Sequence, residues 1–398
     1  MFKAIVNGPI YTPTRIIAHD GVVLTKGDRI AVVGMAGQVP IPEGTDIVDA
    51  GGDVICPGYV DIHVHGGDGG DCADGTVDAV RTAARRLLRA GTTSFVPTTG
   101  SAPFADLWTA FDCIGEVMSA PRSGEARALG IHMEGPLFSL KQAGAHNPDL
   151  LRMPDAAERE RLLGYAGRLV RVTIAPEREG AMELIRDLTA RGVLVSGGHS
   201  DALYGQVCEA MAAGLRHITH LWSSMSLMRR IGPKRYSGML EAALVEDDLT
   251  GEIIADGYHL PTSLMKMAYR MKGPEKLCLI SDAMRASGLG PGEYDLAGIK
   301  ALVEEGGGVA VTPDRKAFAG SISVMAKCLA QIVNVVGVSL RDGLQMATQT
   351  PARIMGVNDQ IGSIAVGLTA DLLILDRTTL FPRWVMHNGQ VAEHVSVD

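Results

Sequence analysis

Ile131-His132-Met133-Glu134-Gly135-Pro136 ends an apolar run on a carboxylate and then turns at Gly-Pro. Well upstream, Asp61-Ile62-His63-Val64-His65 closes another apolar run with two imidazoles. Gly198-His199-Ser200, Thr219-His220-Leu221 and Ser281-Asp282-Ala283 follow three more. Imidazole and carboxylate are the ligand types that hold zinc or iron with a position left open for water. One or two such residues at each of several strand ends is how a parallel β/α barrel builds a hydrolytic metal site.

Working outward, strands are predicted at Tyr59–His65, Thr92–Pro97, Ala128–Met133, Leu169–Ala175, Leu194–Ser196, Arg216–Thr219, Glu252–Ala255 and Lys276–Ser281. Helical stretches such as Thr76–Ala90, Ala181–Arg191, Gly205–Ala213, Pro261–Met271 and Ser323–Val336 lie between and after them. Strands alternating with helices favour a parallel sheet, and eight of them favour closure. Residues 1–55 read instead as short strands cut by Gly, Pro and Asp, and the same texture returns at Ala370–Asp376 and Trp384–Val391. The expected fold is α/β: a distorted (β/α)8 TIM-like barrel over residues 57–355, with a small β-sandwich domain from residues 1–56 plus 356–398.

Composition agrees. The 398 residues are 46% hydrophobic and 21% charged, with 48 glycines, the profile of a large packed α/β enzyme. A net charge of −8 and the lack of a long Lys/Arg run argue against nucleic acid or an anionic membrane as partner. No apolar run reaches the roughly 18 residues of a membrane span. Met1 to Thr14 lacks the apolar core of a signal peptide. Six scattered cysteines without a Cys-x-x-Cys pair fit reduced thiols, so a cytoplasmic location is expected.

Each polar residue has a plainer reading. His63 and His65, two apart on a strand, share a face, with Asp61 on that side and Val60, Ile62 and Val64 on the other. They could simply fill a barrel interior, but a His-x-His pair ending a strand before a Gly-rich loop favours metal ligation. Glu134 alone could be a surface residue; Gly144-Ala145-His146-Asn147-Pro148 after it supplies a second polar group for the same cavity. Asp282 could be a helix N-cap, yet amide hydrolysis needs a carboxylate that takes a proton from water and returns it to nitrogen. His132 and His217 are read as hydrogen-bonded structural residues. Arg81, Arg85, Arg86 and Arg89 are read as the wet face of a helix, and Gly66–Gly70 as a flexible turn. Arg229-Arg230-Ile-Gly-Pro-Lys234-Arg235 is either solvated loop charge or a phosphate-binding island.

With these residues in place, the chain resembles the N-acetylglucosamine-6-phosphate deacetylases of the amidohydrolase superfamily. Pro57-Gly-Tyr-Val-Asp-Ile-His63, His132-Met-Glu-Gly-Pro136, Gly144-Ala-His-Asn-Pro148, Ala175-Pro-Glu177, Ser196-Gly-Gly-His-Ser200, Ile254-Ala-Asp-Gly-Tyr-His259, Ser281-Asp-Ala283 and Gly320-Ser321 carry the likeness nearly end to end. The resemblance implies metal ligation by Glu134, His199 and His220, with His63 and His65 able to hold a second ion, so one or two per subunit. Zinc is the default and iron the alternative. It implies Asp282 as general base and acid, and His259 and His146 on the sugar and acetyl carbonyl. Ala145, Ser223, Ser224, Phe318, Ala319 and Gly320 would line the substrate site, an N-acetyl amino sugar phosphate, in a homodimer.

Two departures stand out. The family usually has His-Leu-Phe/Tyr-Asn-Ala-Met where this chain has His220-Leu-Trp-Ser-Ser-Met225. The family's Arg-Glu-Pro-Gly, whose Arg binds phosphate across a dimer interface, has no clean counterpart; Arg230 and Arg235 are among the replacements. The rival readings are a deacetylase for another N-acetyl amino sugar or an N-acyl amino acid and, more distantly, a non-catalytic sugar-phosphate sensor.

Overall fold

The structure is a computed structural model that describes residues 1–12 and 14–397. Pro13 and Asp398, both inside the ranges expected for the terminal β domain, lie outside the described residues. Eight strands run parallel and in sequence order: β1 (Tyr59–Val64), β2 (Thr92–Thr99), β3 (Ile131–Glu134), β4 (Leu169–Ile174), β5 (Leu194–Gly197), β6 (His217–Ile218), β7 (Thr250–Ile254) and β8 (Leu277–Ile280). Their apolar residues are buried on both faces, as a strand between a barrel interior and a helical coat requires. The ring is drawn shut between β8 and β1. Asp282 N–H donates to His63 C=O at 3.0 Å, and His65 N–H donates to Ala283 C=O at 2.8 Å.

The termini form a separate sheet. Val54–Pro57 pairs antiparallel with Leu372–Leu375, which joins residues 1–57 to the C-terminal strands. Ile5, Ile10, Val23, Ile55, Leu372 and Met386 make its own small core. Two further β elements were not expected. Arg229–Ile231 and Lys234–Tyr236 form an exposed hairpin, and Gly292–Leu296, Ile299–Val303, Val309–Val311 and Phe318–Ser321 form a four-stranded antiparallel sheet after β8. That sheet is laid on the barrel mouth through Ser321 N–H to Asp282 C=O at 2.9 Å.

Three expectations need correction. The helix Val77–Arg89, N-capped by Thr76, does not keep all four arginines wet: Arg81 and Arg86 are 3% and 2% exposed. Arg81 pairs with Glu125 and donates to Ala120 C=O, and Arg86 donates to the carbonyls of Ser396 and Val397. Helical spacing cannot reveal that a distant acid and the chain end supply acceptors on that face. Gly66–Gly70 is no flexible turn. Gly66–Gly67 pairs with Gly70–Asp71 in a buried hairpin so tight that a Cβ on Gly66 would sit 2.1 Å from Gly70 O. On β1 the simple alternation fails, because the register shifts between Asp61 and Val64. Asp61 does not join the histidines; its carboxylate accepts from Ser281 Oγ and from the amides of Ser281 and His63.

Candidate active site

The strands place their chemistry at one end. His63 lies on β1 and His65 just past it, Glu134 is the last residue of β3, His199 and His220 follow β5 and β6 by two residues, and Asp282 follows β8 by two. This is the carboxyl end, where β/α barrels carry their active sites. His199, His220, Trp222, Ser224 and Asp282 all have positive φ, between 21° and 72°. Non-glycine residues enter that region only when their surroundings compel it, and such residues gather at functional sites.

Glu134 is the hub. Its Oε1 lies 3.0 Å from His220 Nε2 and 3.3 Å from His199 Nε2. Its Oε2 lies 3.1 Å from His65 Nε2 and 3.3 Å from His63 Nε2. One carboxylate thus faces two imidazole pairs, one on each oxygen. Asp282 Oδ1 stands against the first pair, 3.4 Å from His63 Nε2 and 3.3 Å from His65 Nε2. The hydrogen-bond network assigns the tautomers. His63 Nδ1 donates to Glu252 at 2.7 Å and His199 Nδ1 donates to Gln142 C=O at 2.9 Å, so both turn Nε2, the nitrogen left to ligate, toward Glu134. His63 Nε2 is buried without a well-aligned hydrogen-bond partner, although carboxylates are nearby.

These residues fit a divalent cation. Burial alone would depress the basicity of His63, yet the charges of Glu134, Asp282 and Glu252 raise its pKa to about 10. His65 is raised in the same way by Asp282 and Glu134. A pocket that draws protons onto buried imidazoles has a surplus of negative charge that a cation would neutralise. His63, His65 and Glu134 bring ligand atoms within 4.8 Å of one another, as do Glu134, His146 and His199.

His146 in the second group is better suited to donate. The Ser101 amide donates to its Nδ1 at 3.2 Å, which leaves the proton on Nε2, 3.9 Å from Glu134 Oε2. Burial, with His199 adding to it, lowers its pKa to about 3, so the ring is neutral. His220, with Nε2 on Glu134, is the stronger ligand candidate on that side. Asp282 would be raised by burial, but the charge of His63 and the hydrogen bond of His65 bring it below the ordinary aspartate value. It is therefore ionised at neutral pH, as a proton acceptor must be.

A cavity of about 270 Å³ opens above these groups, close to the lower bound of about 300 Å³ for small-molecule sites. His65, Glu134, Ala145, His146, His199, His220, Ser223, Ser224, His259, Asp282, Phe318 and Gly320 all line it, together with Trp222. His63 lies beneath. His259 Nδ1 is held by Asp256 at 2.7 Å, and its ring lies 4.8 Å from that of Phe318. Three expected substrate residues are not brought there. Ala319 is fully buried among Met284, Leu296 and Ala310, because strand alternation turns it inward between Phe318 and Gly320. Arg230 and Arg235 sit opposite each other on the exposed hairpin, outside their own chain's cavity wall.

His132 and His217 are structural as expected, bonded to Thr98 and Thr173 and to Thr250 and Glu252. Sequence reasoning missed Glu252 and Arg171, which lie fully buried beneath the site. A Glu and an Arg inside runs that otherwise read as buried strands were the available signal, since such charges are rarely buried unless paired.

The amidohydrolase family model matches residues 54–395. The chain is 34% identical over 379 residues to the N-acetylgalactosamine-6-phosphate deacetylase of Escherichia coli O157:H7, spanning 95% of this chain and 97% of that protein. It is 35% identical over 337 residues to the N-acetylglucosamine-6-phosphate deacetylase of Bacillus subtilis (strain 168), spanning 84% and 83%. Among solved structures it resembles a mutant N-acetyl-D-glucosamine-6-phosphate deacetylase from Mycobacterium smegmatis in complex with N-acetyl-D-glucosamine-6-phosphate. The TM-score is 0.89 and the identity 31%, over 99% of this chain and 100% of that one. The chain belongs to the amidohydrolase family and, within it, to the N-acetylglucosamine-6-phosphate deacetylases, and is an amide hydrolase.

Proposed function

We propose that the protein removes the acetyl group from N-acetylglucosamine 6-phosphate, giving glucosamine 6-phosphate and acetate. The observation that carries this is Glu134 between two imidazole pairs, with Asp282 beside one of them, at the floor of a sugar-sized cavity. Glu134, His199 and His220 would hold one divalent cation, and His63 and His65 a second; zinc is the default and iron the alternative. A divalent ion in such a site supplies Lewis-acid polarisation of the acyl oxygen and of the attacking water.

The chain's own groups do the rest. Asp282, ionised and at the cavity floor, takes the proton from water as its oxygen attacks the acetyl carbon. His146 directs Nε2–H into the cavity, where it donates to the oxygen that gains negative charge. Asp282 then returns its proton to the departing amine nitrogen. His259, Ser223, Ser224 and the Ala145 backbone hold the sugar.

Among the described residues no Lys or Arg lines the cavity, so a 6-phosphate calls for a cation from elsewhere. The hairpin bearing Arg230 and Arg235 is exposed, and so are Leu227, Met228, Ile231 and Tyr236 around it. An apolar patch with cations is what a homodimer contact reaching a second copy's cavity would present. We therefore infer a homodimer, with residues 1–56 and 356–398 in one unit and 57–355 in the barrel. Among the described residues no helix is long and apolar enough to cross a membrane; a cytoplasmic location is part of the proposal.

A second reading has its own observation. The galactosamine-type relative spans 95% of this chain, and Trp222-Ser223-Ser224 departs from the family's usual residues at the cavity wall. Acetate release from N-acetyl-glucosamine, -galactosamine and -mannosamine, each with and without 6-phosphate, separates the readings. Highest kcat/KM on N-acetylglucosamine 6-phosphate is expected; preference for the galacto epimer would favour the second reading, and preference for unphosphorylated sugars would overturn the phosphate role.

A further inference from the structure

One layer below the mouth, Glu252 and Arg171 form a closed polar platform with no solvent exposure. Glu252 Oε1 accepts from His63 Nδ1 at 2.7 Å, Arg171 Nη2 at 2.9 Å and the His220 amide at 3.2 Å. Its Oε2 accepts from Arg171 Nη1 at 2.8 Å and His217 Nε2 at 3.1 Å. Arg171 spends its other donors on Ile62 C=O at 3.1 Å, Ser196 Oγ at 2.9 Å and Thr219 Oγ1 at 3.0 Å. The pair therefore ties β1, β4, β5, β6 and β7 together directly under the ligands.

Burying an ion pair is a poor route to stability, since apolar residues of the same volume often do as well or better. A site-directed purpose accounts better for it. Glu252, His217 and Cys278 also bring ligand atoms within 4.8 Å of one another. A cation is not needed there, because the Arg171 guanidinium already faces both carboxylate oxygens. Of the two histidines at the end of β1, His63 has its Nδ1 held by Glu252, whereas His65 Nδ1 has no hydrogen-bond partner among the described residues.

We propose that Glu252, gripped by Arg171, is a positioning residue for the metal centre. It holds His63 through Nδ1–H so that Nε2 faces Glu134, and so sets the affinity of the His63–His65 half for a divalent cation. This rests on the reading of Glu134 and the four histidines as a metal centre. Removing a partner that orients a ligating histidine typically lowers metal affinity by about 10–100-fold.

The test is titration of chelator-stripped full-length protein with Zn²⁺ and, for its visible spectrum, Co²⁺, counting ions per chain. His63→Asn marks the ion that depends on β1. Glu252→Gln is expected to weaken that same ion by about 10–100-fold, and to leave the ion of the His199–His220 half as in wild type. Arg171→Lys, which keeps the buried cation but not the two-point grip, is expected to do the same more mildly and carries the test if Glu252→Gln does not fold. Wild-type ion binding in both variants, or no ion dependent on His63, overturns the positioning role alone. If unmodified protein takes up no divalent ion, the metal-centre reading itself fails.

Discussion

Glu134 and Glu252 are the same residue type on two strands of one barrel, 2% and 0% exposed, and both carboxylates are held well below their usual range. They differ in what surrounds them. At Glu252 burial is overcome by the permanent charge of Arg171, then by His63, and both oxygens are saturated with donors. At Glu134 burial is overcome chiefly by imidazoles, led by His63, and among the described residues no Arg or Lys forms an ion pair with it. A buried carboxylate with a built-in countercharge is closed to chemistry. One surrounded by imidazoles, whose protons a metal ion can displace, is left open to a cation.

The largest effect should come from the acid beside the open carboxylate. Asp282→Asn is expected to lower kcat by roughly 10³–10⁴-fold while bound metal, measured on the same sample, stays as in wild type. Substantial remaining turnover would remove Asp282 from the proton path. Next, the two glutamates should separate in urea unfolding of metal-stripped protein. Glu252→Gln leaves a buried arginine without its partner and should cost about 3–5 kcal/mol. Glu134→Gln should cost less than half as much and yet abolish ion uptake. Equal costs would show that the two carboxylates are held alike.

His146→Phe keeps a flat ring against Phe138 but loses the Nε2–H donor. It is expected to lower kcat by about 10²–10³-fold with little change in ion content. Arg230→Ala with Arg235→Ala should raise KM for the phosphorylated sugar by about tenfold, roughly 1.4 kcal/mol, and leave the unphosphorylated sugar unaffected. Unchanged KM would show that the hairpin does not serve the phosphate.

The smallest effect concerns a closed carboxylate at the other end of the molecule. Asp371 joins Arg127 of the barrel to His387 of the terminal sheet, at 2.8 and 3.0 Å. Burial raises its pKa, but His387 and Arg127 outweigh this and lower it. A lowered folded pKa means that the stabilisation is complete above the unfolded value of about 3.9 and is lost as pH falls through the folded value. Melting curves should show Asp371→Asn losing about 1 kcal/mol at pH 7, with the difference shrinking below pH 4; a constant difference would refute the linkage.

The eight strands, their parallel order and the terminal sheet were legible because fully buried strands are continuous apolar runs and turn residues punctuate them. The histidines, Glu134 and Asp282 were legible because barrel strands end where chemistry begins. Other features depend on partners remote in sequence, which no local period encodes. Arg81 and Arg86 look wet on a helical wheel, but Glu125 and the tail carbonyls cover them. Asp61 shares a nominal face with His63, but a register shift turns it to Ser281. Glu252 and Arg171 lie in separate strands and become meaningful only as a pair. The sheet over residues 292–321 was missed because short strands cut by Gly-rich turns read as loop, and it is what brings Phe318 and Gly320 to the cavity.

The most direct test of the central claim is acetate and free amine measured together, with N-acetylglucosamine 6-phosphate and protein stripped of metal and then reloaded. Equimolar acetate and amine only after a divalent ion is restored is the expected result. Hydrolysis at the same rate by stripped protein, or no acetate from any N-acetylhexosamine phosphate after reloading, would contradict it.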